Sequence, residues 1–267
     1  MKLTLLCDNH TYIDRYYLGE PAFSCLIEEG DAVVLFDTGY SGVFLENAER
    51  MGIDLGRVTH IVLSHGHNDH TGGLAAYFRA FPHPVTLIAH PDVFSPREHE
   101  GLAVGIPGCC REMPDFVTLR LGTEPVWINE NLCYLGAIPR RYPFEDRAVG
   151  ERILEDGSRV PDTLPDDSSL AIRAGKGLFL VSGCAHAGIA NTLRYAKEVL
   201  KEERVGGVLG GMHLFETDAA FDETVKTLEA LGAKEMWPCH CTSLEVKAAL
   251  MARFSVKEAA VGLTLER

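Results

Sequence analysis

Four side chains able to hold a metal ion stand within six residues, in His65-Gly66-His67-Asn68-Asp69-His70. The segment follows the apolar run Ile61-Val62-Leu63-Ser64, and Thr71-Gly72-Gly73 opens a predicted helix. It therefore reads as a tight loop between a strand and a helix. Imidazole and carboxylate suit zinc, and also iron or manganese. His65 and His67, two apart, can point at one ion, and Asp69 and His70 at a second. Two dications about 3.5–4 Å apart can share a bridging hydroxide that is nucleophilic at neutral pH. With 11 histidines in 267 residues, a polar turn that gathered these four side chains by chance is a poor alternative.

One loop offers too few ligands for two ions. Three more histidines follow strand-like runs: His186 after Leu178–Val181, His213 after Val205–Leu209 and His240 after Glu235–Trp237. Strands that end in the same direction deliver such residues to one sheet edge. His186 is the candidate to complete the first site. His213 is either a ligand or a catalytic or substrate-binding histidine. A ligating histidine usually donates its other N–H to a carboxylate or carbonyl, and Asp37 is best placed for that.

The elements that must position these residues alternate along the chain. Leu3–Cys7, Phe23–Glu28 and Ala32–Phe36 are β-rich, the last two split by Glu29-Gly30-Asp31 as in a hairpin. His60–Leu63 and Val85–Ala89 flank a helical stretch from Gly72 to Ala80. Leu170–Arg173 and Leu178–Val181 form a second hairpin around Gly175-Lys176-Gly177. Three helical patterns follow, carried by Leu193 to Leu200, Phe221 to Leu231 and Leu244 to Met251. Each half thus has strands first and αβ units after, which predicts mixed sheets covered by helices. Between Pro91 and Pro165, short strands at Val117–Leu121 and Leu132–Ala137 are separated by long irregular segments. Such segments are usually functional lids or inserted elements.

Composition narrows the partners. The net charge of −13 repels phosphate backbones, so a small-molecule substrate is expected and a long nucleic acid is not. No uncharged apolar stretch reaches the length of a membrane-spanning helix, and the start, MKLTLLCDNH, is too short for a secretory leader. The eight cysteines form no C-x-x-C pair. The expectation is reduced thiols in a cytoplasmic protein. Cys109 and Cys110 are expected to be inert, and Arg140-Arg141, with Arg147 and Arg152, to be a solvated face before a phosphate site.

The signature loop resembles that of the metallo-β-lactamase-fold superfamily, and Val33-Val34-Leu35-Phe36-Asp37-Thr38-Gly39 is similar to the strand and turn preceding it there. Further segments resemble one branch: Ser182-Gly183-Cys184-Ala185-His186-Ala187-Gly188-Ile189, Gly210-Gly211-Met212-His213-Leu214 and Pro238-Cys239-His240-Cys241-Thr242. That branch contains archaeal dihydropterin ribofuranosylaminobenzene phosphate synthases and bacterial metal-dependent hydrolases. The resemblance implies an α/β fold, the four-layer αββα sandwich. It implies a single domain over residues 1–267, with 91–165 an irregular insertion or lid, and two divalent ions, zinc before iron or manganese. It implies His240 as the last ligand, on the second ion. The superfamily usually places a bridging aspartate after Ser-Gly. Here Cys184 stands instead, to ligate as a thiolate or simply to pack. Asp167 precedes a strand where a ligand histidine is common, and either substitutes for it or caps a turn.

The leading expectation is a metal-dependent hydrolase in which a metal-bridging hydroxide attacks a small, anionic phosphoester, lactone or similar substrate. Asp69 orients the nucleophile and His213 protonates the leaving group. The alternatives are a pterin-precursor synthase joining a dihydropterin diphosphate to a ribofuranosylaminobenzene phosphate, and a non-catalytic metal or ligand sensor. A di-iron redox role fits less well without the roughly 150 residues of a flavodoxin-like unit. Asp37-Thr38-Gly39 also resembles half of an aspartic-protease site, but there is no second Asp-Thr-Gly to share its proton.

Overall fold

Lys2–Cys7, Ser24–Glu29 and Ala32–Phe36 fold as consecutive antiparallel strands, with Cys25 opposite Phe36 and Glu29 opposite Ala32 across the predicted turn. The computed structural model describes residues 1–267, which divide into two compact units. The first comprises residues 1–123, 148–166 and 260–266; the second comprises residues 124–147 and 167–259, with Arg267.

In the first unit the antiparallel strands continue into a parallel set. His60–Val62 pairs with Ala32–Phe36, Val85–Ala89 with His60–Val62, and Val117–Leu121 with Val85–Ala89, giving seven strands with Thr264–Glu266 at the other edge. Parallel neighbours need crossovers, and helices supply them. Helix α1 (Val43–Arg50) buries Phe44, Asn47 and Ala48, three and four apart. A single turn, α2 (Asn68–Thr71), and then α3 (Leu74–Ala80) make the second crossover. Phe44, Ala48, Leu74 and Tyr77 share one core with Leu35, Ile61 and Leu87. The parallel strands end side by side, so the chain leaves Phe36, Val62 and Ala89 at one edge, where ligands bind in such sheets. Part of the 91–165 stretch adds a small antiparallel sheet of Arg159–Pro161, Glu151–Ile153, Arg97–His99 and Leu102–Ala103.

The second unit is built the same way. Val126–Trp127, Leu132–Tyr134, Ser169–Ala174 and Gly177–Ser182 are antiparallel neighbours, and the last two make the expected hairpin. Val205–Gly210, Glu235–Pro238 and Ser255–Val256 then join in parallel. The crossovers run through α4 (Ile189–Leu200), α5 (Ala219–Ala230) and α6 (Leu244–Met251). Their apolar faces bury Leu193, Ala196, Leu200, Val225, Leu228 and Leu250 against Leu178, Leu180, Val208 and Met236. Ser182 lies opposite Gly210, and Gly210 opposite Pro238, so three chain segments leave this sheet in step. No helix is long and apolar enough to cross a membrane.

Candidate metal centre

The loop after His60–Val62 is more structured than its sequence suggests. Asn68–Thr71 is a helical turn rather than loop, with His67 as its cap residue. The amide of Thr71 donates to the His67 carbonyl at 3.1 Å and its hydroxyl at 2.9 Å. Asp69 and His70 are therefore neighbours on a tight turn. The backbone is tied back to the strand ends as well: the Thr38 amide donates to the His70 carbonyl at 2.7 Å, and that of Phe23 to the Asp69 carbonyl at 3.2 Å.

These ties gather the side chains. His65 Nε2 lies 3.0 Å from His67 Nδ1, and the His65 and His70 rings are 4.2 Å apart between centroids. His70 Nε2 is 3.6 Å from an oxygen of Asp69. On the far side of the rings, Asp37 takes Nδ1 of His70 at 2.7 Å and the amide and hydroxyl of Ser64, each also at 2.7 Å. The Ser64 hydroxyl in turn lies 2.9 Å from His65 Nδ1. Both histidines are thus engaged through Nδ1, with Nε2 of each turned toward the other candidate donors, His67 and Asp69. Burial pushes the His67 imidazolium pKa down to about 3, so that ring is neutral. Ring nitrogens at 3.0 Å, with a carboxylate beside them, form a donor set suited to a divalent cation.

Behind the loop lies a buried ion chain. Arg97 is 2% exposed; its Nε donates to Asp162 at 2.6 Å and its Nη2 to Asp166 at 2.6 Å. The other oxygen of Asp166 accepts the Gly66 amide at 2.8 Å, between two of the gathered histidines. Burial raises the Asp166 carboxyl above its ordinary value, against the pull of Arg97 and that amide. A Cβ at position 66 would run into the Val93 carbonyl and Arg97 Nη1, so this close approach requires glycine.

The second unit carries its own cluster. The rings of His186 and His213 are 4.4 Å apart between centroids. The sulfurs of Cys184 and Cys241 and a ring nitrogen of His240 lie within 4.8 Å of one another. Each corner is bent: Ala185, His213 and His240 have φ of 55°, 47° and 50°, and Asp37 in the first unit has 58°. Left-handed φ at residues other than glycine costs about 1–3 kcal/mol and clusters where function needs the geometry. Arginine side chains grip the backbone at one of these bends and just after another. Arg147 Nη1 donates to the His213 carbonyl at 2.7 Å, and Arg140 Nη1 to the His186 carbonyl at 3.2 Å. Asp167 accepts the Ala187 amide at 2.9 Å through one of its carboxylate oxygens.

Glu145, 1% exposed, accepts the amides of Ala190 and Asn191 at 2.9 and 2.8 Å and so caps α4 from a distant part of the chain. Burial nonetheless raises its pKa to about 7. Arg141 pairs with exposed Glu198. Within each unit, then, the sequence-predicted residues gather: His65, His67, Asp69, His70 and Asp37 in the first, His186 with His213 and Cys184 with His240 in the second. Sequence reasoning missed Arg97, Asp162, Asp166, Glu145 and Cys241. A signal existed only for Cys241 and Asp166, each of which adjoins a candidate ligand.

Known proteins resemble this chain along most of its length. The sequence pattern of the Metallo-beta-lactamase superfamily matches residues 18–230. The 7,8-dihydropterin-6-methyl-4-(beta-D-ribofuranosyl)-aminobenzene-5'-phosphate synthase of Methanocaldococcus jannaschii is 30% identical over 269 residues, covering 95% of this chain and 92% of its own. A solved structure of a metal-dependent hydrolase of the β-lactamase superfamily is 29% identical, with a TM-score of 0.85 over 100% of this chain and 99% of that one. Over 96 residues, 34% of this chain and 37% of the relative, a Brucella ovis UPF0173 metal-dependent hydrolase is 38% identical.

Proposed function

The chain belongs to the metallo-β-lactamase superfamily and has its α/β fold, and from that premise we propose that it is a metal-dependent hydrolase of a small, anionic substrate, a phosphoester, lactone or similar molecule. Two divalent ions, zinc first and iron or manganese as alternatives, are to be held by His65, His67, Asp69 and His70 with His186 and His240. When bound, such ions acidify water into a nucleophile at neutral pH and polarise the scissile oxygen. The observation that carries this reading is the donor set of the first unit, with ring nitrogens of His65 and His67 at 3.0 Å and Asp37 fixing His70 from behind.

The chain's own groups do the remaining work. Asp69, whose side chain is 26% exposed, accepts a hydrogen bond from the attacking water and orients it. Asp37 and Ser64 hold the rings of His70 and His65 in one orientation. His213, its backbone gripped by Arg147, donates a proton to the leaving group. Beside it, Arg147, Phe144, Leu214 and Phe215 line a recess of about 340 Å³ in the second unit. Glu216 and Asp218 share its wall with Arg147, so the recess is mixed in charge, and the net charge of −13 disfavours a long nucleic acid.

Elemental analysis of protein purified without added metal tests the reading. About two equivalents per chain are expected, with loss on His67→Ala, together with turnover in a screen of phosphoesters and lactones. Protein that binds no divalent ion overturns it. Full metal content without turnover on any ester, lactone or phosphodiester favours the sensor.

A second reading is the synthase, favoured by 30% identity across 95% of the chain to a protein of that name. Its test is release of pyrophosphate from a dihydropterin diphosphate only when a ribofuranosylaminobenzene phosphate is supplied. Hydrolysis without that acceptor returns the assignment to the hydrolase.

A further inference from the structure

Strand Glu235–Pro238 is followed by Cys239, whose amide donates to the Gly210 carbonyl at 3.1 Å and extends the pairing by one step. Extended backbone would then send the side chains of His240 and Cys241 to opposite sides. The left-handed φ of 50° at His240 breaks that alternation. Both residues bring donor atoms to one place, within 4.8 Å of each other and of the Cys184 sulfur. Cys184 is 3% exposed and His240 7%.

Two neighbours shape this corner for sulfur. The His213 amide donates to the Cys241 sulfur at 3.3 Å, a contact that stabilises a thiolate. Gly211 leaves the room: a Cβ there would run into the Cys241 sulfur and lie 3.2 Å from the Cys184 Cα. Gly211 is itself fixed by its amide on the Gly183 carbonyl at 3.0 Å. The backbone thus brings two thiols and an imidazole together within the second unit alone.

We propose that Cys184, His240 and Cys241 form a sulfur-rich metal subsite, two thiolates and one imidazole, that selects zinc over manganese or magnesium. The inference rests on the reading that the chain binds divalent metal, and it assigns sulfur where the superfamily usually offers a carboxylate. Zinc takes sulfur at about 2.3 Å and nitrogen at about 2.0–2.1 Å, and the three donor atoms stand within 4.8 Å of one another. Binding one dication releases two thiol protons to solvent. Thiolate ligands favour zinc, whereas manganese and magnesium prefer oxygen.

Cobalt(II) titration of the chelator-stripped, full-length protein tests the proposal. The expected spectrum has a near-ultraviolet thiolate-to-cobalt charge-transfer band, reduced by about half in Cys184→Ser and in Cys241→Ser and lost in the double variant. Cys109→Ser, an exposed thiol elsewhere, leaves the band unchanged. A band untouched by Cys241→Ser overturns the two-thiolate site. Cobalt that binds with no such band overturns sulfur ligation while sparing the metal reading, and absence of any cobalt binding overturns both. X-ray absorption on the zinc-loaded wild type counts sulfur neighbours at about 2.3 Å without any variant, so a folding defect in the serine variants does not shelter the proposal.

Discussion

Asp37 Oδ2 lies 2.7 Å from Nδ1 of His70, and both side chains are fully buried. The same carboxylate accepts the amide and hydroxyl of Ser64 at 2.7 Å. One group thus orients a ring and anchors the residue before His65. Asp37→Asn keeps the shape but replaces one acceptor oxygen with a donor. The expected result is a loss of metal affinity of about 10–100-fold, read by competition with a coloured chelator. Unchanged affinity would show that His70 is oriented by something else.

Metal removal is expected to lower stability. A ligand that binds only the folded chain adds about 2.7 kcal/mol at a hundredfold excess over its Kd. Chelation should lower the melting temperature and added zinc restore it. His67→Ala should shrink the difference between stripped and reloaded protein. Identical melting curves with and without chelator would count against a resident ion.

The Arg97 fork joins Asp162 and Asp166 in the interior of the first unit. Removing one partner of a buried pair leaves a charge uncompensated. Arg97→Met is therefore expected to lower the unfolding free energy by about 3–5 kcal/mol in urea titration. Arg97→Lys should recover only part of this, because one ammonium cannot reproduce the planar fork. A methionine variant as stable as the parent would remove the ion chain from the account of how Gly66 is held.

Glu145 sets a pH dependence of defined sign. Its folded pKa, about 7, lies above the ordinary 4.5. The folded chain thus holds the proton more tightly than the unfolded one. This contribution to stability is full below pH 4.5 and is lost as pH rises through about 7, to a total of about 3 kcal/mol. Glu145→Gln, which cannot titrate, should flatten the stability curve across that window. A curve of the same slope in both proteins would assign the dependence to other groups.

Legibility in the sequence followed the range of the interactions. The hairpins at Glu29-Gly30-Asp31 and Gly175-Lys176-Gly177 were readable because alternation and turn residues are local signals. Asp37 was readable because it ends a strand just before Gly39. The helical turn Asn68–Thr71 was hidden: its side chains serve the site, so no apolar period marks it, and the following glycines resemble a helix start. Asp166 and the Gly66 amide are 100 positions apart, and Glu145 and the Asn191 amide are 46 apart. No local pattern predicts such pairs, because the sheets create them. Cys241 carried a local signal, adjacency to His240, but in regular backbone that adjacency argues against a shared target.

The bends at Ala185, His213 and His240 come just after strands that finish in step, and Arg147 grips the one at His213. What each corner presents is thereby uncoupled from how the corner is made. A side chain beside such a corner can therefore be changed while the peptide groups that set its direction stay in place.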